Sequence, residues 1–155
     1  MSGFDQAFHW IIDKLDQRPD VPYVITGGLA ARAYGATRPV NDIDIELPFD
    51  QAAGLFDDLH SYLPPTPVVL KDDYWDLVYY IFEYAGQVIE IGDSRRIYVR
   101  NPMTGDPVKK EIDFKNRTRR ILNGRSVWVI ARDELIFYKQ LRARPEDLQD
   151  IAEMK

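Results

Sequence analysis

Residues 42–47 read Asp-Ile-Asp-Ile-Glu-Leu, a strict alternation of acid and branched apolar side chain. A period of two fits a strand with one buried face. Ile43, Ile45 and Leu47 are therefore candidate core residues, and Asp42, Asp44 and Glu46 share the opposite face. Pro48 stops the strand. Upstream, Tyr23-Val24-Ile25 is a short buried strand broken at Gly27-Gly28. Leu29 to Tyr34 is Ala-rich and reads as a helix, with Gly35 past its end. The chain must thus fit a strand, a Gly-Gly turn, a helix and an acidic strand between Tyr23 and Leu47.

The flanking sequence supplies the rest of the layers. Phe4, Ala7, Phe8, Ile11, Ile12 and Leu15 recur at helical spacing, and Ser2 with Asp5 resembles a capping box. Asp50 is a candidate cap for a helix carrying Ala52, Ala53, Leu55, Phe56, Leu59 and Leu63. Leu77 to Tyr84 and Gln87 to Ile91 read as a hairpin turning at Ala85-Gly86. Ile97-Tyr98-Val99 and Val127 to Ile130 are further strands. Asp133 is a candidate cap for a helix through Leu141, and Pro145 opens a last one with Leu148, Ile151 and Ala152 on one face. The order α-β-α-β-α-β-β-β-β-α predicts an α+β (α/β) fold, a mixed β-sheet with helices packed on it. Residues 1–155 read as one domain, with 133–155 as closing C-terminal helices.

Composition narrows the chemistry. The chain has no cysteine, which excludes disulfides, thiolate metal sites and a cysteine nucleophile. No signal peptide or membrane span is legible, so the expected location is cytoplasmic. The net charge of −5 argues against binding nucleic acid by bulk charge. Lys109 to Arg125 nevertheless holds seven basic residues against Glu111 and Asp113, a solvated face or a surface for phosphate or RNA. His9 and His60 have no companion ligand. Trp10, Trp75 and Trp128 are expected in packing, while Tyr74, Trp75 or Tyr79 are candidates to flank a cleft.

Two glycines between a strand and a helix let the backbone turn sharply and let a phosphate approach its N–H groups. Asp42 and Asp44, on one strand face, repel unless a cation sits between them or one takes up a proton. Mg²⁺ suits them, because it takes one or two carboxylates and completes its shell with phosphate oxygens and water. A phosphate cradle facing a carboxylate pair is equipment for phosphoryl or nucleotidyl transfer.

Thr26-Gly27-Gly28, a gap of thirteen residues and Asp42-Ile43-Asp44-Ile45 resemble the signature of the DNA polymerase β nucleotidyltransferase superfamily. The fuller run GGLAARAYGATRPVNDIDI is similar to its Gly-Gly branch, which includes aminoglycoside and lincosamide nucleotidyltransferases and abortive-infection toxin nucleotidyltransferases. Thr26 stands where that pattern usually has an apolar residue. Lys139, Arg144, Asp147 and Asp150 match a C-terminal pattern of the same branch, and Asp147 and Asp150 read chiefly as ion-pair partners bracing the last helices. The resemblance implies a nucleotidyltransferase-like fold and a Mg²⁺-dependent enzyme with two metal ions. It would move a nucleoside monophosphate from a nucleoside triphosphate such as ATP to a hydroxyl acceptor, whether small molecule, RNA or protein. Asp42 and Asp44 would bind metal and be catalytic. Gly27, Gly28, Arg38 and Lys139 would hold the nucleotide. A third carboxylate is required, with Glu90 preferred over Asp113 and Glu46 weakest. The alternative is a non-catalytic binding or antitoxin-type module of the same fold, and the small size leaves room for a homodimer mate or partner protein to hold substrate.

Overall fold

The computed structural model describes residues 1–155. The elements run α1 (Gly3–Asp16), β1 (Val24–Ile25), α2 (Gly27–Ala33), β2 (Ile43–Leu47), α3 (Ala53–Asp58), β3 (Val68–Lys71), β4 (Trp75–Tyr84), β5 (Gln87–Arg100), β6 (Pro107–Lys109), β7 (Thr118–Leu122), β8 (Arg125–Val129), α4 (Arg132–Arg142) and α5 (Pro145–Glu153). The strands form one mixed sheet in the order β3-β4-β5-β2-β1-β8-β7, with β6 paired to β5. β2 lies between β1, antiparallel to it, and β5, parallel to it. The acidic strand is therefore central, and its register is set from both sides.

The core follows the alternation. Ile43, Ile45 and Leu47 are buried with Ile89 and Ile91 of β5, Val24 and Ile25 of β1, and Val127 and Val129 of β8. α1 brings Phe8, Ile11 and Ile12 to the same cluster. It starts where the sequence predicts, the Ser2 hydroxyl accepting from the Asp5 N–H at 3.1 Å. A hydrophobic cluster that runs under every central strand leaves β2 little freedom to shift, so the opposite face is presented rigidly. No helix is long and apolar enough to cross a membrane.

Several expectations are corrected. β3 and β7 are strands that the pattern does not announce, because both are sheet edges carrying polar and exposed side chains. β5 is one strand of 14 residues; the polar run Gly92 to Arg96, expected to separate two strands, stays in the sheet. Asp50 does not cap α3. It lies in a 3₁₀ turn over Phe49–Gln51, and Ala52 precedes the helix with no side-chain cap. That helix ends at Asp58, short of Leu63. Asp133 likewise sits inside the first turn of α4, after Ala131. α5 turns over completely: Asp147 and Asp150 are each 1% exposed, whereas Leu148, expected inward, is 54% exposed. Its acids meet Arg38, Lys139 and Arg144 inside the fold, and turning them outward would leave those cations unpaired at the cleft wall, a large cost.

Ile45→Ala, in the β2 core row, should cost about 2–5 kcal/mol in urea unfolding. Leu148→Ala should cost less than about 0.5 kcal/mol. Equal losses would contradict the orientation of α5.

Candidate functional site

The Gly-Gly turn and the acidic strand are fastened by backbone. The Thr26 N–H donates to the Asp44 carbonyl at 2.9 Å. Gly27 has φ +64°, and a Cβ there would collide with the Asp44 carboxylate. Glycine at 27 is thus required twice, for the left-handed backbone and for the close approach of Asp44. Gly28 differs. Its φ is not positive, and a Cβ would lie 3.5 Å from Arg38 Nη2, an ordinary contact. The helix begins at Gly27 itself, two residues before the Ala-rich run. α2 spans only 7 residues, so it offers an anion its unpaired first-turn N–H groups more than any macrodipole.

Asp44 pairs in register with Glu90 across the parallel β2–β5 ladder, and Ile43 and Ile45 pair with Ile89 and Ile91. Both acids therefore project from the same face on adjacent strands, which lie about 4.8 Å apart. Burial pushes the Asp44 carboxyl well above the usual carboxylate range, reinforced by the charge of Glu90, a hydrogen bond with it, and the charges of Asp42 and Glu46. Asp42 precedes the strand and is exposed at the mouth.

These groups line a cleft of about 490 Å³ that contains Gly27, Gly28, Arg38, Asp42, Asp44, Glu90 and Lys139. The cleft gathers the selected site residues and, of the candidate flanking aromatics, Trp75 and Tyr79; the alternative third acid and Tyr74 lie outside its lining. Asp113 is absent from the cleft lining. It is exposed and caps the turn at Phe114–Asn116, accepting from the Lys115 N–H at 3.0 Å. Glu46 is only 8% exposed. It lines the cleft but forms a 2.6 Å ion pair with Lys110, 64 residues away.

The cations are held from behind. Arg38 meets Asp150 through two hydrogen bonds, Nε–Oδ1 at 3.2 Å and Nη2–Oδ2 at 2.8 Å. Lys139 Nζ lies 3.0 Å from Asp150 Oδ2 and 3.5 Å from Asp147 Oδ1. Arg144 Nε donates to Asp147 Oδ2 at 2.8 Å. Burial alone would raise the Asp150 carboxyl; the hydrogen bonds and charges of Arg38 and Lys139 outweigh that and hold it below the ordinary range. Asp147 and Asp150, both buried, together with Glu146 at 3.3 Å from Arg144, hold these three cations at the cleft wall. Sequence reasoning missed Lys110, Arg142 and Tyr138 as cleft residues. They come from the basic run and α4, where no local pattern marks them.

No three acid or histidine side chains are gathered tightly enough to form a metal cage made by the protein alone. The pair Asp44–Glu90, with Asp42 at the mouth, still fits Mg²⁺. That ion is held by one or two carboxylates and takes the rest of its shell from substrate phosphate and water. An acid pair crowded enough to hold a proton is one that a divalent cation would relieve.

A family model for aminoglycoside-2''-adenylyltransferase matches residues 7–154. The chain belongs to the aminoglycoside-2''-adenylyltransferase family. Among curated proteins none matches it in sequence. Among solved structures it is similar to TM1012 of Thermotoga maritima, assigned as a nucleotidyltransferase, with TM-score 0.72 and 18% identity over 95% of this chain and 89% of that one. The lincosamide antibiotic adenylyltransferase LnuA, solved with lincomycin bound, gives TM-score 0.60 and 16% identity over 96% and 94%. ANT(2'')-Ia, solved with adenylyl-2''-tobramycin, gives 0.54 and 17% over 96% and 85%. These likenesses show a nucleotidyltransferase fold.

A carboxyl whose pKa rises on folding binds its proton more tightly in the folded chain, so its contribution to stability is full below the unfolded value and is lost as pH rises toward the folded one. In EDTA, Asp44→Asn should therefore melt higher than wild type at about pH 8 and close to it at about pH 4. A variant that melts lower at both would contradict the crowding of Asp44. Gly27→Ala should lose stability by more than about 1 kcal/mol. Gly28→Ala should fold as well as wild type or better, because alanine is the stronger helix former by about 1 kcal/mol, which thermal melting would show.

Proposed function

We propose that this protein is an enzyme that transfers an adenylyl group from Mg²⁺-ATP to a hydroxyl of an acceptor. The observation that carries the reading is the register pairing of Asp44 with Glu90 beside a glycine that leaves room for nothing larger. Family membership supports the class of reaction. The triphosphate would lie along Gly27 and Gly28, with Arg38 and Lys139 facing its charge. Asp42 and Asp44 would hold the metal ions, with Glu90 completing the second site. When bound, magnesium would neutralise charge on the transferring phosphate.

The acceptor hydroxyl oxygen attacks the α-phosphorus in line. An O–P bond forms, the bond from the α-phosphorus to its bridging oxygen breaks, and pyrophosphate leaves with that electron pair. Glu90 stands on the acceptor side of Asp44 and is positioned to take the hydroxyl proton. Holding acceptor and phosphate in one cleft supplies much of the rate by orientation. The cleft is walled by this chain's own β4, α4 and α5, so in this reading no partner subunit is needed to build it. One core cluster underlies the sheet, which supports treating residues 1–155 as a single catalytic domain. A nucleoside triphosphate substrate suits a cytoplasmic location.

The test is transfer of label from α-labelled ATP with Mg²⁺ and cell extract. Asp44→Asn and Glu90→Gln should each lose at least about 100-fold, the scale of a general base or metal ligand. Asp113→Asn should stay within about twofold. Label transferred equally by wild type and Glu90→Gln refutes the assignment of the third acid. No transfer by any of them, with the nucleotide still bound, favours a binding module over an enzyme.

A further inference from the structure

The basic run from Lys109 to Arg125 divides in the fold. Lys109 pairs with Glu111, Lys110 with Glu46, and Arg125 with Asp13 and Asp16. Lys115, Arg117, Arg119 and Arg120 form no ion pair. The three arginines donate only to backbone carbonyls: Arg117 to Tyr23 at 3.1 Å, Arg119 to Ser126 at 3.2 Å, and Arg120 to Ala33 at 3.2 and 3.0 Å. Acids of the neighbouring elements have donors of their own. Asp5 takes Ser2 and Asn123, Asp113 takes the Lys115 N–H, Glu134 takes Asn116, and Glu153 takes Thr37.

These arginines stand on and beside β7, the last strand of the sheet. β8 follows it through the two-residue turn Asn123-Gly124, both with positive φ. In such a hairpin the flanking pair Leu122–Arg125 exchanges backbone hydrogen bonds, as do Arg120–Val127 and Thr118–Val129, whereas Arg119–Trp128 and Ile121–Ser126 do not. The Trp128 N–H accordingly turns away from β7, to the Tyr23 hydroxyl. The N–H and C=O groups of Arg119 and Ile121 thus point out of the open edge. Ile121 is 69% exposed. Ala33, Arg119, Arg120, Ile121 and Ser126 line a depression of about 450 Å³ there.

Arginines that merely guarded an edge would lie across it. These are drawn back along the two faces of the strand. Arg117 and Arg119 lie over the Trp128 ring, at 4.1 and 4.2 Å, and Arg120 lies over the Tyr34 ring at 5.0 Å. Arg119 and Arg120 are neighbours on a strand, so they occupy opposite faces. The edge is left open with a positive charge on each side of it. A second copy of the chain does not fit. β7 against β7 would set arginines against arginines, and the other open edge, β3, carries Val68, Val69, Leu70 and Lys71 but no acid. A nucleic-acid strand fits poorly as well. The rings on which its bases would stack already carry guanidinium groups, and Tyr34 is only 4% exposed.

We infer that β7 is a docking edge for an extended acidic segment of a partner protein. That segment adds a strand through the backbone groups of Arg119 and Ile121, sets carboxylates against Arg119 and Arg120, and packs an apolar side chain on Ile121. None of these residues lines the cleft, so the inference stands apart from the adenylyl-transfer reading.

The test titrates the full isotope-labelled chain with the peptide acetyl-Ser-Thr-Val-Glu-Glu-Thr-Ser-amide, with its Lys-Lys counterpart, and with heptauridylate. The acidic peptide should slow hydrogen exchange at the Arg119 and Ile121 amides and leave Arg120, already bonded to Val127, unchanged. It should bind at least roughly tenfold more tightly than the Lys-Lys peptide. Ile121→Pro removes only an outward N–H, so it should melt near wild type and weaken the acidic peptide by at least roughly tenfold. Arg119→Glu should weaken it as much. An acidic peptide that does not bind, or that binds either variant as tightly as wild type, overturns the inference. Binding without protection of the two amides is charge attraction alone and overturns it too. So does heptauridylate binding more tightly than the peptide, which would mark a nucleic-acid surface.

Discussion

The structure is organised around the crowding of Asp44. It stands on a central strand with Glu90 opposite it, Gly27 pressed against it, and Asp42 and Glu46 two residues to either side. Left alone, such an arrangement is unfavourable, because burial and like charges both oppose ionisation. It persists because Ile43, Ile45 and Leu47 lock β2 into the core on the other face. The apolar half of one alternating strand thereby offsets the cost of its acidic half. Sites that oppose local stability in this way are where binding of a cation and its ligand gains most.

The opposite charge is managed by the same means at longer range. Arg38 lies just before β2, Lys139 is on α4 and Arg144 opens α5, yet Asp147 and Asp150 hold all three at one wall. Pairing a cation with a buried acid fixes its position at the cleft wall, with Glu146 a further partner of Arg144. The last two helices are therefore part of the site and do more than cover the sheet. A protein that kept the sheet but lost Asp150 would leave Arg38 and Lys139 underpaired and free to swing.

Much of this was legible in the sequence because it is local. The alternation from 42 to 47 gives the strand and its face, and Gly27-Gly28 marks the bend. Val88-Ile89-Glu90-Ile91 carries the same alternation, and it pairs with β2 in register. What was not legible depends on partners distant in sequence. Lys110 looked like part of a solvated basic run, and only the fold brings it to Glu46. The ion pairs read for Asp147 and Asp150 do form, with Lys139, Arg144 and also Arg38, but no local pattern said that they would turn those acids inward in place of Leu148. The edge strands β3 and β7 escaped notice because exposed strands lack the apolar alternation that identifies central ones. The cap residues Asp50 and Asp133 were each misplaced by two positions, since chain turns at Ala52 and Ala131 supply the helix starts without a side-chain cap.

The central claim is that Asp44 and Glu90, facing the Gly27 bend, are completed by a divalent cation together with phosphate. Paramagnetic Mn²⁺ tests it most directly, by its broadening of backbone amide signals with and without α,β-methylene ATP. The account predicts weak effects from Mn²⁺ alone, because two carboxylates make only part of a shell. With nucleotide present, it predicts strong broadening centred on Gly27, Gly28, Asp44 and Glu90. Broadening centred elsewhere, for example on Asp113 and Glu134, or the same pattern whether or not nucleotide is present, would contradict it.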